Sequence, residues 1–196
     1  VWEPLHGVPF TIKDAIETAG LRTTSGFPPL AGYVPDRDAP VVARLREAGG
    51  ILLGKTNLPA LAEGARTDNP LFGRTNNPWN MEYTPGGSTG GGAAALASGM
   101  SPLEIGSDAG GSIRIPAHFC GVFGLKPTDH RVPITGHIPP PPPLTAPQVL
   151  RHGAVLGPLA RSVEDLSLAL RLISGPDKQH WEVPPVPPGP APDRSL

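Results

Sequence analysis

Two runs rich in glycine and hydroxyl side chains restrict this chain more than any other feature of its sequence. The first is TPGGSTGGGAAALASG over residues 84–99, and the second is GSDAGGSIR over residues 106–114. Glycine loses more backbone freedom on folding than any other residue, so such runs are unfavourable unless the backbone needs turns or close approaches. The two runs therefore predict places where the backbone passes very close to other groups.

Around these runs the chain alternates between strand and helix patterns. We predict strands at residues 7–13, 51–56 and 103–108, and helices at 39–48, 92–98 and 162–173, with a short helix that opens at Asn57. Asp38 and Ser162 are the expected N-caps of two of these helices, and the strand over 51–56 is expected to be buried. This rhythm predicts an α/β sheet with crossover helices.

The composition excludes several classes of function. With 16 basic and 17 acidic residues the chain has no basic surface for nucleic acid, and no apolar run is long enough for a membrane segment, so we expect a cytoplasmic protein. Six histidines without metal-ligand spacing predict no metal site. The single cysteine, Cys120, lies in the apolar run HFCGVFGL and is predicted to be a packed thiol.

Both ends of the sequence resemble boundaries within a longer protein. The chain starts at Val1 with a predicted strand close behind, and its last residues are rich in proline. We therefore expect one domain over residues 1–176, incomplete at both ends, and a proline-rich tail or linker over 177–196. A second proline-rich segment covers residues 138–147; both favour polyproline II or disorder.

The glycine runs are compatible with several kinds of site. No lysine follows either run in a Walker pattern and no G-x-G-x-x-G occurs, so nucleotide binding is disfavoured. Residues 86–90 match the G-x-S-x-G nucleophile elbow, but the upstream segment, with Pro78 and Pro85, is a poor strand. From composition alone, a purely structural interpretation with tight packing, turns and serine caps is slightly favoured.

A third interpretation joins the two runs in one catalytic site. Glycines can turn backbone N–H groups toward a developing oxyanion, and Ser112 follows three small residues that could do so. Serine needs a base, and a buried lysine with a lowered pKa can accept its proton. Lys13, at a strand end, and Lys55, after ILLG, are the best-placed lysines. The residues alone do not choose between them.

The sequence resembles the amidase signature family at four segments. These are GVPFTIKD, the first glycine run, the second run continued as GSDAGGSIRIPAHFCGVFGLKPT, and GPLARSVEDL, which together span most of residues 7–173. The resemblance implies an α/β fold with a mixed central sheet covered by helices on both faces. It also implies that a C-terminal part of the family fold, which supplies much of the acyl pocket, is missing from this chain.

Carried over to this sequence, the resemblance implies a Ser-cisSer-Lys triad. Ser112 is then the nucleophile, Ser88 follows a cis peptide and bridges to the base, and Lys13 rather than Lys55 is that base. The backbone N–H groups of Ala109 and its neighbours are implied to hold the oxyanion. The full set of implied donors is Ala109, Gly110, Gly111 and Ser112.

Four further residues are implied to support the site. Gly87 precedes the bridging serine, and Thr89 stands where the family commonly has a second serine. Asp108 and Arg114 flank the second run and are expected to form a buried pair that fixes the loops, because one unpaired buried charge would be unfavourable.

The resemblance predicts an amidohydrolase without a cofactor that acts on a small-molecule amide through an acyl-enzyme. A homodimer is left open as the assembly. Two alternatives remain. One is the glutaminase subunit of a tRNA-dependent amidotransferase, and the other is an inactive or incomplete amidase-like module that binds a partner through its proline-rich segments.

Overall fold

The structure is a computed structural model that describes residues 2–140, 152–179, 181–185 and 189. Its elements in chain order are β1 (Pro9–Lys13), α1 (Pro40–Glu47), β2 (Ile51–Thr56), β3 (Asp68–Asn69), β4 (Gly73–Arg74), α2 (Gly90–Ala97), β5 (Leu103–Asp108), α3 (Arg114–Cys120), β6 (Phe123–Gly124), β7 (Val155–Ala160) and α4 (Val163–Ile173), with 3₁₀ turns at Pro28–Leu30 and Ala60–Ala62. Most of the two predicted proline-rich segments lies outside the described residues. None of the helices among the described residues is long and apolar enough to cross a membrane.

A five-stranded mixed sheet organises the fold in the order β2-β1-β5-β7-β6. Strands β2, β1 and β5 are parallel, and β7 runs antiparallel to both β5 and β6. Parallel neighbours require crossover connections, which α1 provides between β1 and β2. Because β1 lies between β2 and β5, its carboxyl end, occupied by Lys13, lies beside the carboxyl ends of two other strands.

Helices cover both faces of the sheet, as predicted. The larger apolar core lies under α1 and α4 and includes Phe10, Ile12, Val41, Leu45, Ile105, Leu156, Leu166 and Ile173. Under α2 and α3 is a smaller cluster formed by Ala93, Leu96, Ile113, Ala117, Cys120 and Leu159. Cys120 is fully buried, as predicted, and burial raises the pKa of its thiol to about 11.

Helix α2 approaches the neighbouring backbone more closely than a helix with side chains could. A Cβ at Gly91 would lie 2.4 Å from the backbone nitrogen of Asn57, and the Gly91 N–H donates to the Asn57 carbonyl at 3.0 Å. A Cβ at Gly90 would lie 2.0 Å from the Thr67 hydroxyl oxygen. The first glycine run is therefore required for close packing, so the structural interpretation holds alongside any chemical one.

The strand over residues 51–56 is present but not buried, which corrects one prediction. Ile51 and Leu53 are each 54% exposed, because β2 lies at the edge of the sheet and pairs only with β1 among the described strands. An apolar run of this length does not distinguish an edge strand from a central one.

One predicted cap forms and the other does not. The Ser162 hydroxyl accepts the Asp165 N–H at 3.1 Å and caps α4, as predicted. Helix α1 instead begins after Ala39, without a side-chain cap. The Asp38 carboxylate is already occupied, because it accepts the N–H of Ala19 at 2.7 Å from another loop.

Candidate active site

Lys13 lies at the carboxyl end of β1 with no solvent exposure. Its Nζ donates to the hydroxyl of Ser88 at 2.6 Å and to the hydroxyl of Ser107 at 2.9 Å. Burial disfavours the charged ammonium and lowers the pKa of Lys13 to about 7. An amine with this pKa is partly neutral near pH 7 and can accept a proton from a hydroxyl.

Ser88 is fully buried within the first glycine run, two residues before α2. The peptide bond between Gly87 and Ser88 is cis, the isomer that the resemblance implies. Gly87 is tightly enclosed, since a Cβ there would lie 2.9 Å from the carbonyl oxygen of Gly64. Gly86 has a φ of +83°, which favours glycine. The glycines on the N-terminal side of Ser88 thus hold its hydroxyl against Lys13.

Ser112 is half-buried and lies just before α3. Its carbonyl accepts the N–H of Thr89 at 3.1 Å, so the two glycine runs are hydrogen-bonded to each other beside Ser88. The Thr89 hydroxyl donates to the Ser107 carbonyl at 3.4 Å. No hydrogen bond joins the Ser112 hydroxyl to Ser88 or to any other described residue. Hydrogen bonds within an active site are often long before substrate binds, so the open Ser112 hydroxyl leaves Ser112 as the candidate nucleophile.

Asp108 organises the second glycine run. Its carboxylate accepts the N–H groups of Gly111 at 2.8 Å, Ile113 at 2.9 Å and Arg114 at 3.3 Å. The Arg114 guanidinium adds two donors at 2.9 and 3.1 Å. Burial opposes ionisation, but these hydrogen bonds, led by Arg114, lower the pKa of Asp108 to about 2. The predicted pair is present, although the Arg114 side chain is 55% exposed while Asp108 is buried.

The hydrogen bond to Asp108 corrects the set of implied oxyanion donors. The Gly111 N–H is directed into the Asp108 carboxylate and is not available to a substrate. The N–H groups of Ala109, Gly110 and Ser112 have no acceptor among the described residues. Ala109 and Gly110 are exposed residues, and their N–H groups stay candidate oxyanion donors.

Lys55, the other candidate base, is held by acceptors instead of facing serine hydroxyls. Its Nζ donates to the Ile16 carbonyl at 2.5 Å and to the hydroxyls of Thr18 and Thr23, and it lies 3.7 Å from the Asp14 carboxylate. These contacts fix the segment after β1. Burial lowers the pKa of Lys55 to about 8, while Asp14 opposes this shift.

Three residues near Lys13 were not predicted from the sequence. Ser107 is its second hydroxyl partner. Glu104 is fully buried in β5, and burial raises the pKa of its carboxyl to about 7. Burial, together with the charge of Lys13, lowers the pKa of His137 to about 3. Glu104 carries the clearest sequence signal, because it is the charged residue within the otherwise apolar first half of LEIGSD.

Potential metal ligands lie elsewhere in the fold. Side-chain donor atoms of Asp129, His130 and His152 lie within 4.8 Å of one another. The ring nitrogens His130 Nε2 and His152 Nδ1 are 3.2 Å apart, so a hydrogen bond between the rings accounts for their proximity. The expectation that the protein uses neither metal nor cofactor stays a prediction.

The mixed sheet and its two helical layers define an α/β protein that carries a buried lysine beside two glycine-rich loops. The chain belongs to the amidase family, whose family model matches residues 2–195.

Known proteins similar to this chain include amidases and components of amidotransferases. It is 48% identical over 174 residues to the A subunit of glutamyl-tRNA(Gln) amidotransferase from Roseiflexus sp. (strain RS-1), with 89% of this chain and 34% of that protein covered. The native peptide amidase from Stenotrophomonas maltophilia superposes with a TM-score of 0.85 at 37% identity, covering 97% of this chain and 38% of that one. The crystal structure of the glutamyl-tRNA(Gln) amidotransferase A subunit from Thermotoga maritima gives a TM-score of 0.81 at 39% identity, with 91% and 38% covered. The chain thus spans about a third of the length of the relatives that it matches.

Proposed function

We propose that the protein is an amidohydrolase that cleaves a carboxamide C–N bond through a serine acyl-enzyme. Ser112 Oγ attacks the amide carbonyl carbon, and its proton passes through the Ser88 hydroxyl to Lys13 Nζ. Lys13 then returns a proton to the leaving amine, and water releases the acyl group. The observation that carries this proposal is the 2.6 Å hydrogen bond from Lys13 to Ser88, made by a buried amine with a pKa of about 7.

The negative charge of the tetrahedral intermediate needs donors that are free before substrate binds. In this proposal the N–H groups of Ala109, Gly110 and Ser112 supply them, while Asp108 holds the turn in shape through Gly111 and Arg114. Loss of one such donor typically lowers kcat by about 100-fold or more. The substrate is a small-molecule amide; the cytoplasmic location and the homodimer stay predictions.

A fluorophosphonate tests the proposal, because it reacts with activated serines and leaves ordinary ones unmodified. Intact-mass analysis and peptide mapping of the 196-residue chain should show one adduct, on Ser112. Ser112→Ala should abolish the adduct and Lys13→Met should slow its formation. The matched control Ser98→Ala removes a hydroxyl whose one hydrogen bond to the described residues goes back to the Ala94 carbonyl, so this variant should label normally. An adduct that persists in Ser112→Ala would rule out the assigned nucleophile.

A second candidate is a glutamine-hydrolysing component of an amidotransferase. The 48% identity to the A subunit of glutamyl-tRNA(Gln) amidotransferase favours it. Ammonia release from glutamine, compared with release from simple aryl and aliphatic carboxamides, distinguishes the two functions. Strong preference for glutamine supports the amidotransferase component, and preference for other carboxamides supports a free-standing amidase. A folded chain that neither labels nor hydrolyses any amide supports the non-catalytic module instead.

A further inference from the structure

A buried carboxyl group beneath α2 is not explained by the proposed triad. Glu104 has no solvent exposure, and its Oε1 accepts the Thr56 hydroxyl at 2.6 Å. Its second oxygen, Oε2, is buried without a hydrogen-bond partner among the described residues. Burying an incompletely paired carboxyl group is unfavourable, so an acid in the middle of a strand requires a reason.

The fold makes room for this carboxyl group at one position of α2. A Cβ at Gly92 would lie 2.4 Å from both Cγ and Cδ of Glu104 and 2.5 Å from Oε1. Any side chain at residue 92 would therefore displace the acid from its place under the helix. The absence of a side chain at Gly92 in α2 thus leaves the space that the Glu104 carboxyl group of β5 occupies.

The sheet register places Glu104 in the same buried layer as the proposed base. Thr11 pairs with Glu104, and Lys13 pairs with Thr56. Alternate residues of a strand share a face, so Thr11 and Lys13 lie on one face, and Thr56 lies beside Lys13 on that face. Because the Thr56 hydroxyl bonds to Glu104, the acid lies in the layer that also contains the Lys13 side chain.

The charged groups around this layer are few. Burial raises the pKa of Glu104, the Thr11 and Thr56 hydroxyls oppose this shift most, and the charges of Lys13 from β1 and Lys55 from β2 oppose it as well. Lys13 is faced by Glu104 and Asp108 from β5, which favour its ammonium, while the buried ring of His137 lies within range of its charge. Asp108 is already bound by Arg114, so Glu104 is the carboxyl group whose charge is not already committed to a guanidinium.

We propose that Glu104 is a positioning residue for Lys13, whose buried carboxylate stabilises the ammonium that forms when Lys13 accepts the proton of Ser112. This role rests on the proposed function. The proton moves from Ser112 Oγ to Ser88 Oγ and from Ser88 Oγ to Lys13 Nζ, and Glu104 forms no bond in these steps. Above its own pKa of about 7 Glu104 is ionised, and its negative charge then raises the affinity of Lys13 for the proton, against the burial that lowers it.

The titration of Lys13 tests this role without any need for activity. The chain has four lysines, Lys13, Lys55, Lys126 and Lys178, so the side-chain NMR signals of all four can be assigned and followed against pH. The variant Glu104→Gln keeps an acceptor for the Thr56 hydroxyl. In this variant we expect the titration midpoint of the Lys13 amine to fall by about one pH unit or more. The control Glu47→Gln removes an exposed acid on α1 and should leave it unchanged.

Reciprocity gives a second measurement on a different variant. Two interacting sites shift each other by the same free energy, so Lys13→Met should raise the midpoint of the Glu104 carboxyl carbon by a similar amount. If Glu104→Gln does not fold, comparing the Glu104 carboxyl titration in Lys13→Met and in the wild type still tests whether the two groups interact. A Lys13 midpoint that does not move in Glu104→Gln, or a Glu104 midpoint that does not respond to Lys13→Met, would overturn the proposal.

The rate of fluorophosphonate labelling separates this inference from the proposed function. Because neutral Lys13 is the active form, a lower pKa in Glu104→Gln should move the acid limb of the labelling profile to lower pH, and a purely structural role would leave the limb in place. A wild-type chain that does not label contradicts the proposed function, while the two NMR titrations still test the contact between Glu104 and Lys13.

Discussion

Replacing Gly91 by alanine should destabilise the protein, although alanine is the better helix former. Gly91 lies in the first turn of α2, where its N–H donates to the Asn57 carbonyl at 3.0 Å. An added Cβ would lie 2.4 Å from the Asn57 nitrogen and 2.6 Å from the Asn57 oxygen. Both are backbone atoms that immediately follow β2, so no side-chain rotation can relieve the contact.

The expected magnitude follows from these distances. In a solvated helix the substitution would stabilise the protein by about 0.8–1 kcal/mol. Here ordinary contact requires α2 to retreat by about 1 Å, and overpacking of this kind costs about 1–3 kcal/mol. Weakening the hydrogen bond to Asn57 adds about 1 kcal/mol. We expect a net loss of about 2 kcal/mol in the free energy of unfolding, which corresponds to a fall in Tm of about 4–8 °C for a chain of this size.

Urea unfolding followed by circular dichroism measures this loss, with Gly32→Ala as the matched control. Gly32 has no atom within 4 Å of its added Cβ and no left-handed φ, so its substitution should change stability by less than about 0.5 kcal/mol. Movement of α2 should also slow labelling of Ser112, because Ser88 lies just before this helix. If Gly91→Ala is as stable as the wild type, the close approach of α2 does not explain the glycine run.

Three further perturbations test the electrostatics and burial. Asp108→Asn should lower the free energy of unfolding by about 2 kcal/mol at neutral pH, because the folded pKa of Asp108 is about 2 and the ordinary value is 3.8. The wild type should lose this stability as pH falls from 3.8 toward 2, and equal stabilities of the two proteins near pH 7 would contradict the prediction. The pKa of His137 is about 3 in the folded protein and 6.5 ordinarily, so protonation of His137 favours unfolding. The stability of the wild type should therefore fall from pH 6.5 toward pH 3, and that of His137→Gln should fall less steeply; parallel plots of stability against pH would contradict this. Because burial raises the pKa of its thiol, Cys120 should resist alkylation by iodoacetamide in the folded protein at mildly alkaline pH and react after unfolding in guanidinium. Rapid alkylation of the folded protein would contradict this prediction.

The elements that carry strong local signals were predictable, and those with conflicting signals were not. Strand β7 was not predicted, because it contains Pro158 and proline disfavours central strands. In the structure the Leu125 N–H donates to the Pro158 carbonyl at 3.0 Å, so the missing N–H of Pro158 faces the end of β6 and not β5. The ladder with β5 stays intact. Helix α3 was also missed, because it has only seven residues and contains Pro116.

Within the candidate site, the resemblance named Lys13, Ser88 and Ser112, and a hydrogen bond joins the first two in the structure. The arrangement of backbone donors depended on the folded turn. Gly111 was expected to face a substrate, yet the turn directs its N–H into Asp108. Predicting the direction of the Gly111 N–H requires the positions of all five donors around the Asp108 carboxylate, and a sequence motif does not contain these positions. Glu104 was missed for a related reason, since the space that admits its carboxyl group is created by Gly92 on another element.

The choice between the two candidate bases depends on their partners and not on burial alone. Both amines are desolvated, and burial lowers both pKa values, to about 7 for Lys13 and about 8 for Lys55. Lys55 faces a carbonyl, two threonine hydroxyls and the Asp14 carboxylate, all of which stabilise its ammonium and none of which is a candidate nucleophile. The two hydrogen-bond partners of Lys13 are serine hydroxyls, which can accept from the ammonium or donate to the neutral amine. Two of the groups around Lys55, the Ile16 carbonyl and the Asp14 carboxylate, can only accept and so favour its ammonium, whereas both hydrogen-bond partners of Lys13 can also donate to the neutral amine, which suits a base whose proton must arrive and leave in one catalytic cycle.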